Sequence, residues 1–505
     1  MMKAKPMQKV KTFLEKTPNA LLCVLGAVVF LAGFYFLTSR TPLNKIWLPT
    51  TMNNDEVLYN RQVVSVITHG GPQGYFGYQE GTADIGRYGT WGPLLIWAYA
   101  LPGFLFGSSV NVVLWCNLLF ITLGIAAFAR SAKLNWWQCI VLCAGLFAIA
   151  MPIRSCISGA SEAMHYMLAF LIVGSAAALH RTDNIGWLAV CAAACAVETI
   201  FRPYALLFWV FPLTAVWQNK RRRSACFVTA AAGFGVSLFA MAKLAAPYFS
   251  DGGMDFDGVQ LLLQGHPIAA IRYEWTRATA LLGNAWLYDI WPTIKGGKTY
   301  IGGGCVTFLV VVLAAVGCLL WDKRKGRPVV LKACALFCSA AIALVLLTMY
   351  NIDPRHMMLL AILLLGAIVV EDAAPAVVWL PILVVLLLPM NFERGSQPEM
   401  NEVMAAQMTV VEDALAADVQ AADADPWDNT LAYTYDDGVF HGYLYAVPDG
   451  MGIEFDKNSY LWDAENPIYS RYVMCGHGTR VEERLLAENW QELVSTEDLV
   501  IYKRS

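Results

Sequence analysis

Asp55-Glu56, Arg154, Glu162, Glu198, Arg202, Asp353, Arg355 and His356 stand out because each lies at an end of a long apolar run and none in the middle of one. Carboxylates held this way can take a proton from a hydroxyl, and guanidinium groups bind phosphate through charge-assisted hydrogen bonds. Each also has a plainer explanation. Asn53-Asn54-Asp55-Glu56 precedes Val57, Leu58, Val63, Val64, Val66 and Ile67, which predicts an amphipathic helix on the membrane surface ending at Gly70-Gly71-Pro72. There Asp55 is either a general base or a first-turn acid that stabilises the helix dipole. Arg154 and Glu162 bracket a serine-rich stretch at 153–163; Glu162 is either a solvated loop acid or a group that orients an acceptor or a cation. Arg202, before Pro203, and Arg355-His356, after Asp353-Pro354, suit a phosphate or snorkel to lipid headgroups.

The stretch 74–92 carries Tyr75, Phe76, Tyr78, Tyr88 and Trp91 among glycines, with Glu80, Asp84 and Arg87. Such rings stack on a sugar or peptide, or form an interfacial aromatic belt. The acidic run 251–258 reads as a turn, since it lacks the ligand spacing and closing glutamate of an EF-hand. Most of the 13 cysteines fall inside apolar runs and none forms a Cys-x-x-Cys pair, which argues against a structural metal.

The elements that hold these residues follow from composition. Apolar residues make up 57% of the 505-residue chain and charged ones 15%, against the roughly 25% charged of soluble domains. With net charge −3 and no long basic block, disordered and nucleic-acid-binding classes are excluded. Apolar runs at 20–37, 110–128, 136–151, 164–179, 185–197, 204–217, 225–246, 305–321, 330–350, 357–370 and 376–390 predict spans; the broken run 93–106 is too short and reads as interfacial. On that reading Arg130, Lys133, Arg181, Lys220 to Arg223 and Lys323 to Arg327 share the side of the lysine-rich start, as the positive-inside rule requires.

The expected fold is therefore an all-α polytopic membrane protein of about eleven transmembrane helices, with interfacial helices in the first outer loop and a small C-terminal extracytoplasmic α/β domain. The transmembrane domain is expected over 1–390, with long outer loops at 38–109 and 247–304, and the soluble domain over 391–505. In the latter the pattern predicts helices near 400–422 and 480–490 and strands at 430–435, 442–447 and 499–503. Because this domain lacks the clustered acids and arginines of the outer loops, it is expected to be dispensable for donor binding.

Asn54-Asp55-Glu56-Val57-Leu58-Tyr59 after the first span, Trp91-Gly92-Pro93-Leu94-Leu95 closing the outer loop, the Arg154-to-Glu162 loop, Phe201-Arg202-Pro203 and Arg355-His356 before a late apolar run together resemble the type C (GT-C) membrane glycosyltransferases. Relatives of that fold include protein O-mannosyltransferases, the lipid-A aminoarabinose transferase and bacterial oligosaccharyltransferases. The sequence departs from them in having Glu162 for an aspartate, His356 for a tyrosine and no Trp-Trp-Asp-Tyr-Gly run.

The resemblance implies inverting transfer of a sugar from a polyprenyl-phosphate donor to an envelope glycan, lipid or protein, without nucleic acid. It fits a chain with no nucleotide-binding glycine loop. It implies Asp55 as base with Glu56 beside it, and Arg202, Arg355, His356 and Arg154 on the donor phosphate. Glu162, Tyr78, Tyr88 and Trp91 would orient the acceptor. No cofactor is required, and an optional divalent cation, Mg or Mn, would sit at Asp55 and Glu162. The implied location is a bacterial plasma membrane, N-terminus inside and C-terminal domain outside. The alternatives are a polymerase or ligase of lipid-linked glycans, or a flippase or exporter; a flippase needs charges along its spans, which are few.

Overall fold

A computed structural model describes residues 18–49, 54–72, 76–81, 93–218, 223–245, 255–295, 303–371, 400–419, 425–434, 437–456 and 459–504. The expected span at 376–390, and Tyr88 and Trp91, lie outside them.

The helices in chain order are α1 (Asn19–Ser39), α2 (Asn54–His69), α3 (Pro93–Gly103), α4 (Val112–Ala132), α5 (Trp136–Phe147), α6 (Ala150–Cys156), α7 (Glu162–Thr182), α8 (Ile185–Phe201), α9 (Val210–Gln218), α10 (Arg223–Ala240), α11 (Asp257–Leu263), α12 (Pro267–Ala285), α13 (Trp291–Lys295), α14 (Gly304–Arg324), α15 (Val330–Met349), α16 (Pro354–Val370), α17 (Glu402–Asp418) and α18 (Arg480–Ala487). Among the described residues α1, α4, α7, α14 and α15 are long and apolar enough to cross a bilayer, and α5 with α6 would make a sixth were they not bent by 85°. The chain is an integral membrane protein, and the described residues do not confirm the count of eleven spans. The run expected at 204–217 is a 3-10 helix, Pro203–Trp209, leading into the short α9, because Pro203 and Pro212 each remove a backbone donor. The run at 136–151 breaks after Phe147 and turns. The run at 93–106 ends in the 11-residue α3, about 16 Å long and too short to cross.

Hydrogen bonds tie helix ends into two opposite faces. On one, Asn19 donates to the Leu134 carbonyl, Gln138 to Val369 at 2.8 Å and Arg181 to Ser131 at 2.7 Å. Lys332 there lies 2.9 Å from Asp322 and 2.8 Å from Glu371. Arg130, Lys133, Lys323 and Arg324 end helices on that face, whereas Asp55, Glu162, Arg202 and Asp353 stand at the other.

The C-terminal residues build a sheet in the order β1-β3-β2-β4-β6-β5. Its strands are β1 (Phe76–Tyr78), β2 (Thr430–Thr434), β3 (Gly452–Asp456), β4 (Tyr472–Cys475), β5 (Gln491–Ser495) and β6 (Val500–Lys503). The first four are parallel neighbours, and β6 and β5 are antiparallel. The sequence does not announce β1, a three-residue edge strand given by the segment between α2 and α3. Nor does it foresee residues 441–446 as a 3-10 helix where a strand is expected: Tyr443, Leu444 and Ala446 are all buried, without the alternation a half-buried strand needs.

Helix α2 binds the two layers. Tyr59, Val63 and Val66 join the transmembrane core, while Val57 and Leu58 join Leu431, Tyr433 and Ile453 in the core of the sheet domain. Arg61, on that second side, donates to the carbonyls of Leu444 (3.4 Å), Val447, Pro448 (2.8 Å) and Met451 (3.1 Å). Burial pushes its guanidinium down to about 10. Arg61→Met should leave these carbonyls without their donor, at about 1–3 kcal/mol per unsatisfied group. The expected result is earlier proteolysis of the 437–456 region, with the transmembrane helices still protected; unchanged cleavage kinetics would count against the latch.

Candidate active site

Four chain segments meet at the second face: the first turn of α2, the N-terminus of α7, the C-terminal end of α8 and the N-terminus of α16. Each delivers a charge by a local rule. Asp55 and Glu162 occupy first turns, where the exposed N–H groups favour an acid. Arg202 follows α8 because Pro203 stops the helix there. Asp353 caps α16 by accepting from the Arg355 N–H at 2.8 Å, with Pro354 as first helical residue.

Arg355 is the hub. Its Nε and Nη2 donate to Asp353 at 3.0–3.2 Å, which turns Nη1 toward Asp55 Oδ2 at 3.4 Å and Glu162 Oε1 at 3.9 Å. Desolvation would raise the Asp353 carboxyl, but the Arg355 guanidinium outweighs it and holds the group well below the usual carboxylate range. Behind this, Arg202 donates to Glu162 at 3.3 Å and to the Tyr204 hydroxyl at 2.9 Å, and lies 2.6 Å from His356 Nδ1. Tyr204 is 2.7 Å from the same nitrogen. The Asp55 and Arg355 side chains are 31% and 19% exposed, Arg202 and Glu162 4% and 5%. The accessible rim is thus one acid beside one arginine, backed by a second, buried acid–arginine pair.

The structure therefore brings together Asp55, Glu162, Arg202, Arg355 and His356. It sets Arg154 and Glu56 apart: they bond to each other with both side chains wholly buried, so this pair meets neither a lipid phosphate nor an acceptor in this conformation. Tyr78 is a strand residue whose ring packs 6.1 Å from Phe455 and 5.2 Å from Phe76, inside the sheet domain instead of free to stack. Glu80, from the same aromatic stretch, accepts from the Tyr469 and Ser470 N–H groups at 2.8 Å, and burial raises its carboxyl. Sequence reasoning singled out Asp353 as a charge at a span end but gave it no role, and it missed Tyr204 as a partner.

Gly159 explains how the loop before α7 fits under α2. A Cβ there would lie 2.3 Å from the Glu56 carbonyl oxygen. Asn117 holds the loop from below, donating to Ser158 and Ala160 carbonyls at 3.0 and 2.8 Å. Gly159→Ala is expected to push the first turn of α2 away at a cost of about 1–3 kcal/mol, read as a lower melting temperature together with impaired function of Asp55. A variant melting with wild type would remove the close-approach argument.

No family model and no curated protein matches the sequence. Among solved structures, the archaeal oligosaccharyltransferase AglB from Archaeoglobus fulgidus, in complex with an inhibitory peptide and a dolichol-phosphate, superposes with a TM-score of 0.50 at 13% identity, covering 96% of this chain and 74% of that one. The chain has the type C glycosyltransferase fold. ArnT from Cupriavidus metallidurans, bound to undecaprenyl phosphate, aligns over 95% of this chain and 97% of its own at 12% identity and a TM-score of 0.49. In this chain the acids and arginines of the site come from separate helix ends, and among the described residues no three His, Cys, Asp or Glu side chains cluster closely enough for a metal.

Proposed function

We propose that this protein transfers a sugar from a polyprenyl-phosphate donor to an acceptor at the non-cytoplasmic membrane surface, with inversion. The observation that carries the reading is the Asp55–Arg355 contact at the accessible rim, 3.4 Å between Oδ2 and Nη1, with Glu162 and Arg202 directly behind. Asp55 takes the acceptor hydroxyl's proton as that oxygen bonds to the anomeric carbon; the bond from this carbon to the phosphate oxygen breaks, and the electron pair leaves with the lipid phosphate. Arg355, turned outward by Asp353, meets the phosphate and stabilises its growing charge. Arg202, fixed by Tyr204 and His356, adds positive potential and orients Glu162, which positions the acceptor. The lipid phosphates bound by AglB and ArnT are consistent with such a donor.

An Mg or Mn ion is an option only between Asp55 and Glu162, where it would displace Arg355; the scheme routes no step through one. Glu56 and Arg154 take a supporting role here, clamping α2 onto α6.

Protein reconstituted in lipid nanodiscs and incubated with a panel of polyprenyl-phosphate sugars and lipid, glycan and peptide acceptors should release polyprenyl phosphate with formation of one glycosylated product, and should continue in chelator. Donor moved between leaflets without bond cleavage would replace this reading by the flippase one. Joining of preassembled lipid-linked glycans alone would favour the ligase.

A further inference from the structure

The second outer loop carries an apolar surface that the transfer reaction does not use. Helix α12 continues through a π-helical turn, Trp286–Ile290, into α13. Along it Ile268, Ile271, Trp275, Leu282 and Trp286 recur at spacings of three, four, seven and four residues, one helix face. That face is open: Ile268, Ile271 and Trp275 are 81%, 70% and 71% exposed.

The other face is fastened at two points. Arg277 donates to the Tyr350 carbonyl and pairs with Asp255. Asp289 accepts from the Gly303 N–H and, at 2.7 Å, from the Cys305 N–H at the start of α14. Tyr350 ends α15 and Gly303 precedes α14, so the helix runs along the active-site face from one helix end to the other. Gly304 also packs on Pro354, where a Cβ would come within 2.2 Å of the Pro354 oxygen, one residue from Arg355.

We infer that α12–α13 is seated in the bilayer surface on the active-site side, its apolar stripe among phospholipid acyl chains. A water-exposed stripe of this length would be an aggregation liability. The stripe adjoins α14 and α15, whose outward residues Leu313 and Leu344 are 73% and 61% exposed in the same way. Its far end is aromatic and basic: Trp286 stacks on Trp291 at 5.9 Å and Lys295 lies 4.7 Å over the Trp291 ring, as residues at headgroup level do. Arg272, exposed beside the stripe, can reach phosphates by snorkelling. The seat also fixes depth, because Arg277 bonds to Tyr350 and Asp289 holds the start of α14, where Gly304 packs on Pro354. Arg355 then stands at headgroup level, whatever is transferred there.

Nitroxide labels at Ile271→Cys and Leu282→Cys test this in vesicles of phosphatidylethanolamine and phosphatidylglycerol, with unsubstituted protein carried through labelling as the blank. Collision with oxygen should exceed collision with a water-soluble nickel chelate to the extent seen at Leu313→Cys, and the ratio should be reversed at Leu486→Cys in the sheet domain. A chelate-dominated signal at 271 and 282 overturns the inference, as does protection from both reagents, which means a protein partner covers the stripe. If the substituted proteins misfold, a photoactivatable phospholipid and the unsubstituted chain serve: adducts on peptides within 267–295 support the seat, and adducts on α14 and α15 without them refute it.

Discussion

Asp55→Asn should lower turnover by about 10²–10⁴-fold, the usual contribution of a general base, while leaving affinity for the lipid donor nearly unchanged. Asn is nearly isosteric with Asp, so shape survives the exchange and, beyond a few tenths of a kcal/mol of helix-dipole stabilisation, what is lost is the charge and proton acceptance. If Asp55 serves α2 merely as a first-turn acid, the same variant loses a few tenths of a kcal/mol and keeps its activity. Arg355→Ala separates the partners: it should cost about 10²–10³-fold in turnover, as loss of one electrostatic donor does, and should weaken donor binding too, since the phosphate is charged before the bond breaks. Donor titration and single-turnover transfer by the two variants give the comparison. Full transfer by Asp55→Asn would remove the acid–base scheme and leave the fold alone.

The largest stability effect is expected at Glu56–Arg154. Both side chains are wholly buried, so Arg154→Met takes the arginine away from a carboxylate in the core, at about 3–5 kcal/mol. The double substitution Glu56→Leu with Arg154→Met removes both charges together and should recover most of that loss. Thermal melts in detergent measure both. A single variant that melts with wild type but no longer binds donor would instead make Arg154 a phosphate ligand, the role the family resemblance assigns it.

That pair shows where reading the sequence stops. Asp55, Glu162, Arg202 and Arg355 were legible because charges avoid the bilayer centre, so apolar runs sort them to span ends and chain parity sorts the ends to one side. Which charge faces solvent and which faces a partner is not written in spacing. Arg154 and Arg355 both stand at span ends in the sequence, yet a glycine at 159 lets the loop slide under α2 and buries the first against Glu56, while the second stays 19% exposed. Span lengths misled for a related reason. Hydropathy sums residue by residue, whereas Pro203 and the bend after Phe147 interrupt α-helix inside long apolar stretches. The sheet domain was legible in α17, β2, α18 and β6, whose local patterns suffice. It was illegible in β1, whose only warrant is a partner strand beyond residue 450.

The same feature bears on how the protein is made. Helix α2 packs Val57 and Leu58 against residues near 431–455, and Arg61 finds its carbonyl partners only at 444–451. The chain expected to be dispensable for donor binding is therefore part of the seat of the Asp55 helix. Contacts so distant in sequence form late, after the intervening loop has been closed. During synthesis, an emerging α2 must wait through nearly four hundred residues and the insertion of the helices between. The candidate site is thus completed only when residues 431–455 reach α2, and a nascent chain stalled before them should hold its preceding helices but no competent centre.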